Sequence, residues 1–176
     1  MGVHAADLSR KWTIEDLLEL PDDGNRYELV DGALRMSPGP TWRHNNAASR
    51  LARQLEPALP EGLVVLTPGG GIRVPRGLLI PDLAVVESAL AETASHVGEA
   101  AQVRLVVEVA SPSNSIDDIV EKASLYAEAG IASYWRVEFD PTPRIIVQEL
   151  HGSSYVEVAA GPVVEVSQPC TVRVGL

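Results

Sequence analysis

Cysteine is nearly absent from this chain, since Cys170 is the only one among 176 residues. A single cysteine excludes an intramolecular disulfide framework and a metal site built from several cysteines. Aromatic residues are also scarce, at 5% of the chain. The sequence therefore shows no stacking platform for single-stranded nucleic acid, and we interpret Tyr126 and Trp135 as packing residues.

The chain also lacks long apolar runs. No stretch approaches the roughly 20 apolar residues that a membrane-spanning helix needs. The N-terminus, MGVHAADLSRKW, has no apolar segment of the kind that a signal peptide needs. We therefore expect a cytoplasmic protein with no membrane partner.

Positive charge is in deficit, because the formal net charge is −10. A protein that binds nucleic acid widely and nonspecifically normally shows a basic footprint, so this balance argues against such a binder. An active site that gathers carboxylates around a divalent cation would itself add negative charge, which the cation offsets locally. The charge therefore leaves a metal-dependent enzyme open.

The rest of the composition is that of a globular protein, with 45% hydrophobic residues, and the length suits a single domain over residues 1–176. Thr13 and Asp16 predict a helix-starting capping box, and Asp31-Gly32 predicts a hairpin turn. The patterning predicts helices at 14–20, 42–59 and 115–129, and strands at 63–67, 72–74, 80–86 and 103–110. We expect an α/β fold, with a central mixed β-sheet flanked by helices and hairpins at both ends.

Two acidic residues interrupt apolar strands. Asp82 follows Pro81 in LLIPDLAVVE, and Glu108 lies between two valines in RLVVEVASPS. Burying an unpaired carboxylate costs several kcal/mol or more, so such groups are usually paired, protonated or bound to a metal. Asp82 alone also fits an ordinary turn at the start of a strand. Together the two acids predict a site.

Lys122 is the candidate partner of Glu108. It lies seven residues past Ser115, roughly 10 Å back along the predicted helix, and Glu108 lies roughly 7 Å back along its strand from Ala110. The ammonium can therefore reach the level of the carboxylate. Lys122 borders the predicted apolar face of this helix, which comprises Ile116, Ile119, Val120, Ala123 and Ala127. The alternative is a solvated lysine paired with Asp118, which together with Asp117 would serve the helix N-terminus.

Two carboxylates and a lysine suit metal-assisted phosphoryl chemistry. Hard cations such as Mg²⁺ prefer oxygen ligands, so Asp82 and Glu108 are the predicted ligands of Mg²⁺ or Mn²⁺, with a main-chain carbonyl near Glu108 as a third. Such a cation lowers the pKa of a bound water and polarises a phosphoryl oxygen. Lys122 would orient that water or offset developing negative charge.

These residues also carry a family resemblance. Asp82 in IPD and Glu108 in VVEVASPS resemble the PD-(D/E)xK nuclease superfamily, although its usual lysine position is Ala110 here. The series YELVDGAL, His44, IPDLAVV, VVEVASPSNSIDDIVEKASLYAEAGI and YW closely resembles the Uma-two family of restriction-endonuclease-like proteins, over about residues 13–156. In that family the lysine lies on the following helix, where Lys122 matches it.

The resemblance implies a restriction-endonuclease-like fold, a divalent-metal site and phosphodiesterase activity on DNA. It also implies that Glu28 and His44 face the site, although each also fits an ordinary solvent-facing position. Cutting both strands of a duplex with one site per chain would favour a homodimer, by analogy. The alternative is a catalytically silent nucleic-acid-binding or regulatory module that retains the nuclease fold.

Overall fold

The computed structural model describes residues 10–37, 39–93, 95–110 and 116–176, with the side chains of residues 116 and 117 left out. Its helices are α1 Ile14–Leu18, α2 Trp42–Leu55, α3 Ser88–Ala91 and α4 Ile116–Glu128, with short 3₁₀ turns at Glu56–Ala58 and Ala100–Gln102. Its strands are β1 Arg26–Val30, β2 Ala33–Ser37, β3 Leu63–Leu66, β4 Gly71–Val74, β5 Gly77–Leu79, β6 Leu83–Glu87, β7 Val97–Glu99, β8 Val103–Val109, β9 Ser133–Glu138, β10 Arg144–His151, β11 Ser154–Gly161, β12 Val163–Val166 and β13 Val172–Gly175.

Local sequence signals at the start of the chain produce the expected elements. Thr13 caps α1, and the side chains of Thr13 and Asp16 exchange hydrogen bonds with each other's backbone N–H groups. Strands β1 and β2 pair antiparallel around Asp31 and Gly32. Both turn residues have positive φ, at 52° and 79°, as a tight hairpin turn requires. The capping box and the hairpin are therefore confirmed.

The central sheet has six strands in the order β11-β10-β9-β8-β6-β3. Strand β8 runs parallel to β9 and antiparallel to β6, so the sheet is mixed, as predicted. Helix α2 packs Leu51 and Leu55 against one face, where they share a core with Val107. The opposite face of β8 carries Val106, which shares a second core with Leu125 of α4. Side chains alternate along a strand, so Glu108 points to the α4 side.

A second sheet brings the N-terminal hairpin to the same side. Its five strands have the order β2-β1-β5-β4-β7, and β1 pairs with β5 through Leu29 and Leu78. Strands β12 and β13 form a separate pair that packs through Val174 into the core beneath α2. The predicted fold class, an α/β arrangement with a mixed sheet and hairpins at both ends, is confirmed.

Several predicted details were wrong, including the end of α1, which lies at Leu18 and not at residue 20. The strand expected at 80–86 begins at Leu83, because Pro81 has no N–H for a strand ladder. Helix α2 ends at Leu55 instead of continuing to residue 59, because Pro57 interrupts the α-helical pattern. Val120 is 61% exposed, although it was expected in the apolar face of α4. It lies two residues from the inward-pointing Lys122 and so faces away from the core.

Two further predictions for α4 concern residues whose placement is not described. Its expected start at Ser115 and the side chains of Ile116 and Asp117 lie outside the described residues. Among the described helices, none is long and apolar enough to cross a membrane.

Candidate functional site

Asp82 and Glu108 lie next to each other across two neighbouring strands. Asp82 immediately precedes β6, and the antiparallel register pairs Leu83 with Val107. The Asp82 N–H donates to the Val107 carbonyl at 3.0 Å, and the Val109 N–H donates to Asp82 Oδ2 at 2.7 Å. The ladder between β6 and β8 therefore continues to Asp82 and brings it beside the glutamate.

Asp82 contacts two basic side chains. Arg26 Nη1 donates to Oδ1 at 2.7 Å, and His44 Nε2 lies 2.7 Å from Oδ2. Burial raises the pKa of Asp82, but His44, Arg26 and the Val109 N–H together lower it below its ordinary value. Asp82 is therefore an ionised carboxylate in the interior, which is possible because its charge is met by these donors.

Glu108 is in the opposite electrostatic situation. Its Oε1 accepts hydrogen bonds from Tyr126 Oη at 2.9 Å and from Lys122 Nζ at 3.2 Å. Burial raises its pKa, Lys122 opposes that effect, and the nearby carboxylates of Asp82 and Glu28 add to it. The result is a pKa of about 7, so Glu108 changes its charge near neutral pH.

Lys122 points inward from α4 and joins two carboxylates. Its Nζ donates to Glu28 Oε1 at 2.8 Å as well as to Glu108. Burial lowers the pKa of Lys122, but the carboxylates of Glu108 and Glu28 outweigh it, and the net direction is upward. Lys122 is therefore a buried ammonium. The alternative partner, Asp118, has a 49% exposed side chain 3.9 Å from Arg35.

Glu28 is held in turn by the chain segment that follows β5. Its Oε1 accepts the Ile80 N–H at 2.8 Å, in the segment that leads from β5 to Asp82. Glu28 is buried, so its side of the β1 hairpin faces the site and not solvent. The carboxylate thus connects the second sheet to α4 and to the chain just before Asp82.

His44 enters from the first turn of α2. Its backbone N–H donates to Oγ1 of the helix cap Thr41 at 3.3 Å, and the Nε2 atom of its side chain is buried. The 2.7 Å contact with Asp82 has the distance of an ion pair, but its angles are not those of a hydrogen bond. A ring nitrogen and a carboxylate oxygen repel each other at 2.7 Å unless a proton lies between them, so this short distance requires a proton on Nε2.

The site contains the carboxylate oxygens that a divalent cation prefers, but their positions are not those of a metal-binding site. Three carboxylates (Glu28, Asp82, Glu108) face two permanent cations (Arg26, Lys122), and hard cations prefer such oxygen ligands. Across the described ranges, no three His, Cys, Asp or Glu side chains are placed to hold a metal ion together. The protein's own cations occupy the carboxylates instead.

A cavity of about 660 Å³ leads to this cluster. Arg26, His44 and Asp82 lie on its wall together with apolar residues of α1 and α2, including Leu17 and Ala48. His44 also borders a second cavity of about 410 Å³, which Arg43 and Phe139 line. The Asp82 end of the cluster is therefore the end that a solute can approach.

The structure brings all five sequence-predicted residues together: Glu28, His44, Asp82, Glu108 and Lys122. Sequence reasoning missed Arg26, which lies two residues before Glu28 and so on the same face of β1. It also treated Tyr126 as packing alone, although this tyrosine lies one helical turn after Lys122. It is buried and its hydroxyl binds Glu108.

Comparison with known proteins agrees with this architecture. The model of the Uma2 family, described as "Putative restriction endonuclease", matches residues 14–175. A solved structure of a putative nuclease of the DUF820 group, from Anabaena variabilis ATCC 29413, superposes with a TM-score of 0.71 at 15% identity and covers 89% of each chain. The curated proteins give no match.

At 15% identity the solved structure shows a shared fold alone, and that fold is the predicted one. The family match extends beyond the expected 13–156 to nearly the whole chain. The chain belongs to the Uma2 family.

Proposed function

We propose that this protein is a metal-dependent endonuclease that hydrolyses phosphodiester bonds of DNA. The observation that carries the proposal is the buried cluster in which Lys122 contacts Glu28 and Glu108 while Asp82 lies beside them on a cavity wall. The family description supports the same class of reaction, and so does the similar protein from Anabaena variabilis, which is described as a putative nuclease.

In this proposal Asp82 and Glu108 hold Mg²⁺ or Mn²⁺. When bound, the cation lowers the pKa of a water molecule and polarises a phosphoryl oxygen. The raised pKa of Glu108 has burial as its main cause and the neighbouring carboxylates as a further one. An added cation would favour its ionised form. Arg26, which holds Asp82 Oδ1, is the residue that competes for this ligand.

Lys122 acts on the reacting groups in this proposal, and Glu28 positions it. The ammonium remains charged because two carboxylates raise its pKa against the effect of burial. A buried positive charge at this point orients the attacking water or offsets the negative charge that develops on the phosphoryl group. Tyr126 holds Glu108 near the lysine, because its hydroxyl donates a hydrogen bond to Oε1.

A homodimer belongs to the same proposal, because a single site per chain cuts one strand at a time. Two sites related by a two-fold axis would address both strands of a duplex.

A second candidate is a catalytically silent nucleic-acid-binding or regulatory protein that retains the fold. It is favoured by the pairing of Asp82 with Arg26 and of Glu28 and Glu108 with Lys122, which leaves the cluster nearly charge-balanced by protein groups. The lack of a three-ligand metal arrangement in the described part of the chain points the same way. Activity separates the two candidates.

The test is cleavage of supercoiled plasmid, linear duplex, single-stranded DNA and RNA with Mn²⁺ or Mg²⁺ at low salt. Low salt is needed because an acidic protein binds polyanions weakly and is easily screened. We expect nicking or cutting of DNA by wild type, inhibition by EDTA, and loss of activity in Asp82→Asn and Glu108→Gln.

Glu165→Gln is the matched control, since Glu165 is exposed on β12, away from the site. Equal cutting by wild type and Asp82→Asn would identify a contaminating nuclease. Failure to cut any substrate with either cation would favour the silent protein.

A further inference from the structure

We propose that the exposed face of helix α2 binds the sugar–phosphate backbone of the nucleic acid and leads it to the Asp82 end of the site. The inference rests on the proposed function and names the surface that contacts its substrate. We call this surface the arginine face. It consists of Arg43, Asn46, Arg50 and Arg53.

These four residues form one continuous stripe. Their spacing is i, i+3, i+7 and i+10, which places them along one side of an α-helix. All four are exposed, whereas the opposite side of α2 is buried through Ala47, Ala48, Leu51 and Leu55. The helix contains no Asp or Glu. The arginine face is therefore a local positive surface on a protein whose formal net charge is −10.

Its arginines differ from most cations of the molecule, because they form no ion pair with an acid in the described part of the chain. Of the fourteen Lys and Arg residues, nine form ion pairs: Arg10, Arg26, Arg35, Arg73, Arg76, Arg104, Lys122, Arg136 and Arg144. Arg43, Arg50 and Arg53 form none with any residue in the described ranges. Two further cations, Lys11 and Arg173, also form no ion pair within these ranges. Lys11 is far from α2 in sequence, and Arg173 lies opposite Glu165 in the pair of strands β12 and β13.

The arginine face has the length of a short phosphate track. Arg53 lies ten positions after Arg43, which corresponds to about 15 Å along the helix axis. One strand of B-DNA rises about 3.4 Å along the duplex axis for each phosphate, so the arginine face is long enough to contact more than one phosphate of a backbone. Arginine is also the side chain whose planar guanidinium best matches phosphate geometry.

The arginine face is continuous with the site. Arg43 stacks over the Phe139 ring with 3.9 Å from Cζ to the ring centroid and lines the same cavity as His44. His44, one residue further along α2, reaches Asp82. A strand bound along the helix would therefore arrive at the carboxylates from the end where the cavities open.

An aromatic side chain at the same end favours nucleic acid over an acidic protein partner. Trp42 begins α2 and is 91% exposed, whereas Trp12 and Trp135 are buried. An exposed indole beside arginines can stack on a base, which an acidic peptide does not offer. Trp42 is also the one exposed tryptophan of the chain's three, so its fluorescence reports stacking.

The test compares Arg50→Ala/Arg53→Ala with the charge-matched control Lys11→Ala/Arg104→Ala. Both variants lose two positive charges, and none of these four residues lies in the proposed catalytic cluster. Binding of a fluorescein-labelled duplex is measured by anisotropy in EDTA over a series of salt concentrations. We expect the slope of log K against log salt to become shallower by roughly 2 for Arg50→Ala/Arg53→Ala, about 0.9 for each lost phosphate contact.

We expect the control to leave that slope unchanged, and circular dichroism to show that both variants are folded. Unlabelled single-stranded oligonucleotide, whose bases are open to stacking, should quench the tryptophan fluorescence of wild type but not of Trp42→Leu. Equal slopes for the two double variants, or no DNA binding by wild type at low salt, would overturn the proposal. Displacement of the duplex by a poly-glutamate peptide of equal charge, at equal concentration, would overturn it in favour of an acidic protein partner.

Because EDTA removes catalysis from the measurement, the two proposals fail separately. If wild type cuts DNA but the salt slope of Arg50→Ala/Arg53→Ala is unchanged, the nuclease proposal stands and the proposal for the arginine face fails. If wild type never cuts DNA but the double variant shows the shallower slope, the arginine face stands and the protein is the silent binding protein.

Discussion

Lys122 Nζ donates a 2.8 Å hydrogen bond to Glu28 Oε1 across a sequence separation of 94 residues. The contact joins α4, which packs on the central sheet, to β1 of the second sheet. Both side chains are buried, so the ion pair lies where water cannot replace either partner. The same lysine also contacts Glu108, which makes it the link between the two sheets and the candidate site.

Removal of this link should destabilise the fold. We expect Lys122→Met to lower the free energy of unfolding by about 3–5 kcal/mol, because it leaves two buried carboxylates without their cation. Lys11→Met, at the only other lysine and on the surface, should change it by less than about 0.5 kcal/mol. Urea unfolding at pH 7.5 measures both. A Lys122→Met protein as stable as the control would contradict the ion pair.

A double-mutant cycle identifies the cause of that loss. Glu28→Gln should recover part of the stability of Lys122→Met, because it removes one of the uncompensated charges. Independent, additive effects of the two substitutions on the free energy of unfolding would mean that Glu28 and Lys122 do not interact.

Glu108 should impose a pH dependence on stability. Its pKa in the folded protein is about 7, against an ordinary value of 4.5, chiefly because it is buried. The unfolded chain therefore releases this proton first, and stability falls as the pH rises from about 4.5 to 7 and then levels off. Glu108→Gln lacks this ionisation, so we expect it to fold and to gain stability relative to wild type across that window, by up to roughly 3 kcal/mol.

Unfolding of both proteins in urea between pH 4.5 and 8 gives this difference directly. The acidic groups that do not interact with Glu108 are common to the two proteins and cancel. A difference in unfolding free energy that does not change with pH would show that Glu108 titrates normally.

Divalent-cation binding should depend on the same carboxylates. We expect wild type to bind Mn²⁺ in isothermal titration calorimetry, and Asp82→Asn and Glu108→Gln to lose that binding, because each removes one of the two proposed ligands. Glu165→Gln should bind as wild type does. Equal Mn²⁺ affinity in wild type and Glu108→Gln would count decisively against a metal role for this residue.

Lys122 should separate catalysis from metal binding. We expect Lys122→Ala to lose DNA cleavage while it still binds Mn²⁺, because the acids hold the ion and the lysine acts on the water or the phosphoryl charge. Plasmid cleavage and calorimetry on the same preparation, at a temperature where circular dichroism shows the variant folded, test this. Loss of both properties together would make Lys122 a structural residue only.

Part of the candidate site could be predicted from the sequence, because the patterns that indicate its residues extend over only a few positions. An acid among valines, as at Glu108, is improbable without a partner, and the helical spacing from Ser115 indicated which lysine could reach it. Alternation along β1 separated Glu28 from Leu29. Arg26 could have been found by the same alternation, since it lies two residues before Glu28 on the same face.

Other features required the folded chain. The break at residues 80–82 arises because the chain leaves one sheet at Leu79 and enters the other at Leu83, with Pro81, which has no N–H for a ladder, between them. The outward position of Val120 follows from the inward direction of Lys122. No local pattern reveals that His44 meets Asp82, because the two residues belong to elements separated in sequence. The hydroxyl of Tyr126 adds a contact to Glu108 that its place on the apolar face of α4 did not indicate. Whether an arginine is free or neutralised is likewise a tertiary property.

The sequence by itself determined the capping box of α1, the Asp31-Gly32 hairpin, the mixed α/β class and the acids and lysine of the candidate site, because backbone preference and hydrophobic alternation act over a few residues. The tertiary structure decided which charges are paired. Nine Lys and Arg side chains form ion pairs with acids, while three arginines of α2 form none in the described part of the chain. Net charge counts residues, but electrostatic interaction depends on distance and burial, which only the fold supplies.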